Sequence, residues 1–411
     1  MVMDILIKSP EKYIGCSVKL PTSKSISNRL LLLNALSYSP FEIKNLSDSD
    51  DTEVMLEVLN SNSTTFDIGA AGTSMRFLTA FLSKVVGEWV LTGSARMKQR
   101  PIGVLVEALR KLGAKIEYEE KEGYPPLRIF GSALKGGDIN LPGNISSQYI
   151  SALLMIAPQV ENGLTIHLEG DIISKPYIDL TLNLMEEYGV KGLWHDDKTI
   201  IIPEANYCPK QMSVEADWSA ASYWYEIVAL NPELEVVLQG LSRNSLQGDS
   251  KVLEIFKKLG VESKFTRKGL TLSSSETSPK SFKYNFINQP DLAQTVVVTC
   301  CLLNVPFSFI GLQTLKIKET DRINALIKEL GKLGFMLTTN DVDTLEWKGE
   351  KSELPKGEIV EIDTYEDHRM AMAFAPAASR LSSVIIKNSA VVSKSYPQFW
   401  DDLKMVGYEI S

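Results

Sequence analysis

Residues 320–337 read TDRINALIKELGKLGFML, and the way this stretch ends decides the fold. Ile323, Leu326, Ile327, Leu330 and Leu333 fall at helical spacing, which predicts an amphipathic helix with one buried stripe. Gly334 stands just past the last apolar position, where a left-handed residue closes a helix, and a strand-like Phe-Met-Leu comes next. The same ending recurs in RPIGVLVEALRKLGAKIEY, YIDLTLNLMEEYGVKGL, GDSKVLEIFKKLGVESK and YPQFWDDLKMVGYEI. Its glycines are Gly113, Gly189, Gly260, Gly334 and Gly407, spaced by 76, 71, 74 and 73 residues. A weaker copy, DDTEVMLEVLNSN, precedes them with Asn60 near the glycine position. Six units of about seventy residues account for the chain.

Each unit carries a second helix upstream of the amphipathic one. The six are SISNRLLLLNAL, TSMRFLTAFLS, SSQYISALLMIA, WSAASYWYEIVAL, DLAQTVVVTCCLL and DHRMAMAFAPAAS, each apolar on most faces behind a polar start. Helices that are apolar all round are buried ones. A unit therefore reads as strand, buried helix, strand, exposed helix, strands, and the chain as an α/β (α+β) protein. A solenoid is the alternative, but the period is long for one, and two similar domains of three units each suit a 411-residue chain better.

Composition narrows the function. Hydrophobic residues make up 44% and charged ones 23%, the balance of a soluble globular protein. A net charge of -8 argues against a nucleic-acid binder, so any anion site is local. Cys16, Cys208, Cys300 and Cys301 show neither metal-ligand spacing nor a disulfide framework, and His167, His195 and His368 are too scattered for a metal site. The longest apolar run, Val296 to Leu303, is too short to cross a membrane, and MVMDILIKSPEK lacks the features of a signal peptide. The expectation is a reduced, cytoplasmic protein.

The polar starts of the buried helices hold the chemistry. In PTSKSISNR, Lys24 and Arg29 crowd a helix end that already carries about half a positive charge, an arrangement that calls for an anion. Gly69-Ala70-Ala71-Gly72-Thr73 with Arg76 opens the second such helix, and Ser146-Ser147-Gln148 opens the third. The glycine-containing stretch is neither a GxxxxGK[ST] loop nor a GxGxxG fingerprint, so no nucleotide is indicated. Arg96, Arg100, the KETDR run (Lys318 to Arg322), His368-Arg369 and Lys394 add further charge. Lys318 and Arg322 are spaced to lie one turn apart on one side of a helix. Taken singly, Ser, Thr and Asp at such places are N-caps, and a charged run is a solvated helix start. Taken together, they imply a ligand with several negative charges. Asp291 begins a buried helix after Asn288-Gln289-Pro290, and Glu319 sits between cations, so the two read either as a cap and a surface charge or as a general base and acid.

PTSKSISNR, GAAGTSMR, LTGSARMKQRPIG, YPPLR, SSQYISALLM, SKPYID, RNSLQGD, KETDR and DHRMAMA occur in this order over nearly the whole chain. In these motifs the sequence resembles the bacterial EPSP synthase (3-phosphoshikimate 1-carboxyvinyltransferase) family. The resemblance implies two domains of three βαβαββ units each, the inside-out α/β barrel of enolpyruvyl transferases. One domain would run over residues 22–215 and mainly bind shikimate 3-phosphate. The other would comprise residues 1–21 and 216–411 and bring the catalytic carboxylates.

The implied reaction is transfer of the enolpyruvyl group of phosphoenolpyruvate to the 5-hydroxyl of shikimate 3-phosphate, on the route to chorismate and the aromatic amino acids. By motif match, Lys24, Ser25, Arg29, Ser146, Ser147, Gln148, Ser174, Tyr177, Asp291, Thr314 and Lys318 would contact shikimate 3-phosphate. Lys24, Gly72, Arg100, Gln148, Arg322, Arg369 and Lys394 would hold phosphoenolpyruvate. Asp291 would be the base and Glu319 the acid, with Lys24 touching both substrates. The resemblance implies a monomer with no metal, organic cofactor, nucleic acid or membrane partner, and, with Gly72 and SSQY, a glyphosate target. Ala70, Thr314 and Trp218 depart from residues common in the family, which puts individual contacts at issue but removes no charged group. Two alternatives stay open: the sister transferase acting on UDP-N-acetylglucosamine, whose loop cysteine has no counterpart between Cys16 and Cys208, and a polyanion sensor without turnover.

Overall fold

The five glycines expected past helix ends all adopt the left-handed region in the computed structural model, which describes residues 3–353 and 359–411. Gly113, Gly189, Gly260, Gly334 and Gly407 have φ of +95°, +84°, +90°, +84° and +107°. They close the helices Gly103–Lys111, Lys175–Glu187, Val252–Lys258, Arg322–Lys332 and Phe399–Met405. At Gly260 a side chain is excluded twice over, because a Cβ would also lie 2.6 Å from the carbonyl oxygen of Thr277. The sixth copy, Asp50–Asn60, ends differently, running straight into extended Ser61.

The chain divides into two units, Met1–Thr22 with Glu215–Ser411, and Ser23–Val214. In Ser23–Val214, two βαβαββ repeats are complete. The first pairs Thr65–Asp67 parallel with Gly87–Thr92, then antiparallel with Leu127–Gly131 and Lys115–Tyr118. The second pairs Lys135–Pro142 parallel with Glu161–Glu169, then antiparallel with Thr199–Ile202 and Leu193–Trp194. A third repeat keeps both helices, Lys24–Leu36 and Asp50–Asn60, but its sheet is pared to the bridge between Lys44 and Ser213. The connecting stretch SYSPFEIKNLSDSD has a proline, many small polar residues and no sustained alternation, so it has little to offer a ladder.

Among the described residues the other unit has three sheets. Cys16–Lys19 pairs parallel with Val236–Gln239, which continues into Gly269–Ser274 and Val261–Thr266. The chain thus leaves after the first strand of a repeat, makes the whole Ser23–Val214 unit, and returns to finish it. Phe282–Asn285, Phe307–Ile310 and Leu345–Trp347 form the second sheet. In the third, Ile5–Lys8 from the N-terminal stretch enters between Ser383–Ile386 and Glu409–Ile410, completing the last repeat.

Each unit has its own core, and in both the apolar helices lie inside. Lys24–Leu36, Gly72–Lys84 and Ser147–Ile156 pack against one another in one, and Trp218–Leu230, Ala293–Leu302 and His368–Phe374 in the other. The run VVVTCCL is buried without a break, as an all-round apolar helix must be. Because these six helices are central, their N-terminal amides and first-turn side chains are gathered at one place in each unit.

Candidate active site

In Ser23–Val214 the gathering point is Arg29. Ser23 caps its helix by accepting from the amide of Ile26 at 3.4 Å, and Arg29 sits in the second turn, almost fully buried. Its Nε donates to Thr181 Oγ1 at 2.8 Å, Nη1 to the Ser25 carbonyl at 2.9 Å, and Nη2 to Ser151 Oγ at 3.1 Å and the Tyr177 carbonyl at 3.3 Å. Three helices are stitched by one guanidinium, and every one of these acceptors is neutral. Burial pushes the Arg29 guanidinium down to about 10, with Tyr177 opposing, so it stays charged at neutral pH and its charge is uncompensated by any carboxylate among these partners. Ser174, left-handed at φ +56°, precedes Tyr177 in the same corner.

A second group lies at the neighbouring mouths. Gln148 Nε2 donates to Thr73 Oγ1 at 3.1 Å, joining the start of Ser147–Ile156 to that of Gly72–Lys84. Ser146 caps the former by accepting from the amide of Gln148 at 3.3 Å, whereas Ala71 gives the latter no side-chain cap. Gly72 opens that uncapped end directly against Arg100: a Cβ there would lie 2.5 Å from Nη1. Lys24 Nζ sits 3.4 Å from Asp51, whose carbonyl accepts from Ser74 Oγ at 2.8 Å. Asp51 is no member of the site expected from sequence, although SDSDD, which runs into the first turn of Asp50–Asn60, marks a polar helix start.

In the other unit the gathering point is Asp291. Sequence alone leaves open whether it merely caps a helix, and the geometry decides. The Ala293–Leu302 helix has Leu292 at its N-cap position and no side-chain cap, while Asp291 belongs to the 3₁₀ turn Pro290–Leu292 before it. Its Oδ1 is 3.2 Å from Arg322 Nη1 and 3.6 Å from Lys318 Nζ, and its Oδ2 is 3.2 Å from Arg369 Nη2. Arg369 Nη1 also donates to the Asp291 carbonyl at 3.2 Å. Burial works to raise the Asp291 carboxyl, but Arg369, Lys318 and Arg322 outweigh it and hold the group far below the usual carboxylate range.

Arg322 is the hub. It is 1% exposed, and its Nε donates to Asp367 Oδ2 at 2.6 Å while Nη2 donates to Glu319 Oε2 at 2.8 Å. Burial opposes its charge, yet Asp367, Glu319 and Asp291 hold it above the ordinary arginine value. Asp367 in turn accepts from the amide of Arg369 at 2.9 Å, capping His368–Phe374. Lys394 Nζ donates to the carbonyl of Glu366 at 2.7 Å. Lys318 reaches Asp291 by a different route from the one its spacing suggests. It is extended at the end of the 3₁₀ turn Gln313–Ile317, outside the helix that Asp321 caps, so the shared side with Arg322 comes from the turn and not from helical phase. Thr314 is buried in that turn, its Oγ1 without a hydrogen-bond partner among the described residues.

Two acidic residues of this unit join the site without having been expected there. Asp367 stands at the head of DHRMAMA, and an acidic residue immediately before a helical His-Arg is the signal that could have found it. Asp249, in RNSLQGD, is buried and accepts from Ser219 Oγ with Oδ2, while Oδ1 has no hydrogen-bond partner among the described residues. Burial first, then the charge of Asp291, pushes its carboxyl up. Nothing in sequence spacing brings it beside Asp291.

Known proteins are similar to this chain in sequence and in fold. A family profile described as EPSP synthase (3-phosphoshikimate 1-carboxyvinyltransferase) matches residues 8–62 and 58–403. A 3-phosphoshikimate 1-carboxyvinyltransferase of Bacteroides fragilis is 52% identical over 408 residues, covering 99% of both chains. One from Vibrio atlanticus is 37% identical over 436 residues, covering 98% of this chain and 100% of its own. Among solved structures, EPSP synthase from Acinetobacter baumannii superposes with a TM-score of 0.77 at 20% identity, over the whole of both chains, which speaks for the fold.

Proposed function

The chain belongs to the EPSP synthase family, and on that premise we propose which side chains carry the transfer of the enolpyruvyl group from phosphoenolpyruvate to the 5-hydroxyl of shikimate 3-phosphate, with release of phosphate. One observation supports the assignment most directly: two carboxylates, Asp291 and Glu319, share the buried guanidinium of Arg322. A base and an acid are thereby held beside one cation that an anionic substrate can claim.

Ser23–Val214 mainly binds shikimate 3-phosphate, through Lys24, Ser25, Arg29, Ser146, Ser147, Gln148, Ser174 and Tyr177. Arg29, charged and bonded to neutral oxygens, supplies the attraction for its anionic groups. Asp291, Thr314 and Lys318 of the other unit serve the same substrate. Phosphoenolpyruvate takes Lys24, Gly72, Arg100, Gln148, Arg322, Arg369 and Lys394. Glu319 gives a proton to the methylene carbon, the 5-oxygen attacks the resulting cationic carbon, and Asp291 takes the proton of the 5-hydroxyl. The tetrahedral adduct then loses a proton from its new methyl group and expels phosphate, restoring the enol ether.

Asp291 as found is a poor base, because Arg369, Lys318 and Arg322 hold its charge so firmly. Phosphoenolpyruvate claims two of those three cations. Its negative charge then raises the basicity of Asp291 at the moment the base is needed, so that the substrate switches on the group that acts beside it. No metal or organic cofactor enters this scheme. The same reading puts the reaction in the cytoplasm and has the chain act as a monomer. No described helix is long and apolar enough to cross a membrane. Glyphosate belongs to the same reading as a competitor of phosphoenolpyruvate.

Mixing the chain with both substrates and measuring phosphate release tests the proposal. Release that needs both substrates, and that Asp291→Asn slows by at least about a hundredfold, supports it. Tight binding of both without release would leave a polyanion sensor.

A further inference from the structure

Two consecutive residues, Tyr365 and Glu366, stand in the left-handed region with φ of +54° and +56°, immediately before Asp367. Neither is glycine, asparagine or aspartate, so both conformations are unfavourable and something else must hold them. The turn leads directly into the anion-binding half of the site: Asp367 grips Arg322, and Arg369 grips Asp291. Lys394 fastens on the Glu366 carbonyl itself, at 2.7 Å. Three residues assigned to phosphoenolpyruvate thus depend on the path of one strained turn.

The tie that holds the turn comes from Glu329. It lies seven residues, two helical turns, beyond Arg322 on the same face of Arg322–Lys332, and it is fully buried. Its Oε1 accepts from the Tyr365 hydroxyl at 2.5 Å, and its Oε2 accepts from the Asp363 amide at 3.0 Å and lies 2.6 Å from Lys332 Nζ. Lys332 also reaches Asp363 Oδ2 at 2.9 Å and the Glu361 carbonyl at 3.0 Å. Tyr365 is held protonated by burial and by Glu329, so its hydroxyl remains a donor. One helix therefore carries Arg322 at its start and, two turns on, the anchor for the turn that delivers Asp367 to that same arginine.

We propose that Glu329 and Tyr365 are positioning residues for the phosphoenolpyruvate side of the reaction: their hydrogen bond fixes the 363–366 turn and through it the geometry of Arg322, Arg369 and Lys394. The inference rests on the proposed function for the identity of the ligand, but the tie itself can be examined without substrate.

Tyr365→Phe keeps the ring and removes only the hydroxyl. The expected result is a KM for phosphoenolpyruvate raised about tenfold, the lower range for losing a hydrogen bond to a charged acceptor. The KM for shikimate 3-phosphate, held mainly by Ser23–Val214, stays within about twofold. Amide hydrogen exchange at Asp363 and Asp367 speeds up in the same variant. Glu329→Gln, which gives up the Lys332 ion pair and one of the two acceptor oxygens, raises the same KM, and the double variant falls short of the sum of the two single effects, because the changes share the Tyr365–Glu329 hydrogen bond. A purely structural role would lower the thermal midpoint and move both KM values together; that result, or unchanged exchange, overturns the inference. Wild-type chain that releases no phosphate, while Tyr365→Phe still loosens these amides, refutes the function reading and keeps the clamp.

Discussion

Replacing Gly72 with alanine adds a single methyl group, and the structure says where it goes. The new Cβ would stand 2.5 Å from Arg100 Nη1 and 3.0 Å from both Cζ and Nη2. Ordinary contact begins near about 3.5 Å, so the guanidinium must retreat by about 1 Å. It can do so, being the far end of a flexible side chain, and Gly72 has no positive φ that alanine would strain. The fold therefore tolerates the change, and alanine suits a first helical turn better than glycine. With phosphoenolpyruvate on Arg100 as proposed, binding should suffer: a charge-assisted hydrogen bond stretched by about 1 Å is largely lost, at about 1.5–3 kcal/mol, or roughly 10- to 150-fold in affinity. Steady-state phosphate release should show a KM for phosphoenolpyruvate raised within that range. The KM for shikimate 3-phosphate should change little, and the thermal midpoint should hold. Inhibition by glyphosate should weaken at least as much. An unchanged KM for phosphoenolpyruvate, or equal rises for both substrates, would refute the placement of Arg100 on that ligand.

Three further outcomes are expected. Asp291→Asn should cut kcat by roughly 10²–10⁴ without raising the KM for phosphoenolpyruvate, since Arg322 and Arg369 lose an anionic competitor; a raised KM with normal kcat would remove Asp291 from the base role. Lys24→Ala should weaken both substrates in calorimetric titrations while leaving the melting temperature in place, and an effect on only one substrate would contradict its shared position. Glu226 is fully buried with no hydrogen-bond partner for either oxygen among the described residues, and burial pushes its carboxyl well above 4.5. Its contribution is full below that value and is lost as pH rises toward the folded-state value. Urea unfolding of wild type and Glu226→Gln should therefore diverge by about 1.4 kcal/mol per pH unit upward from about pH 5, and a difference that stays flat to about pH 7 would show the group ionised or solvated.

The repeat was legible because it is written twice over, in the helical stripe and in the glycine that closes it. Both signals are local, and Gly113 to Gly407 behave as local chemistry demands. The thinning of the repeat around Lys44 was not legible, because a missing ladder leaves only the absence of a pattern, and the helices on either side keep their own signals intact. In the candidate site, the residues that the sequence could put forward were those at helix starts: Lys24, Arg29, Gly72, Ser146, Arg322 and Arg369. A helix mouth is defined by a few consecutive residues, so sequence can point to it. Asp249 and Glu329 are instead brought in by packing between elements far apart in the chain. Lys318 shows the reverse failure, where a helical spacing suggested the right neighbour for the wrong reason, since the backbone there is extended.

Arg29 in one unit and Arg322 in the other sit under opposite electrostatic conditions, and that difference bears on how the reaction is ordered. Arg29 directs its donors at hydroxyl and carbonyl oxygens, which orient it but leave its charge whole. Arg322 and Arg369 are engaged by Asp291, Glu319 and Asp367, which offset theirs. An incoming anion meets the uncompensated charge of Arg29 in Ser23–Val214, whereas in the other unit it must displace carboxylates from Arg322 and Arg369. Shikimate 3-phosphate, assigned to the first, should therefore bind well by itself. Phosphoenolpyruvate, which has to compete with Asp291 and Glu319 for Arg322, should bind weakly until the first substrate contributes. Direct titration with each substrate alone and then with its partner present measures this order. Phosphoenolpyruvate binding as tightly alone as in company would show that the carboxylates around Arg322 offer no real competition, and the proposed activation of Asp291 by substrate charge would lose its basis.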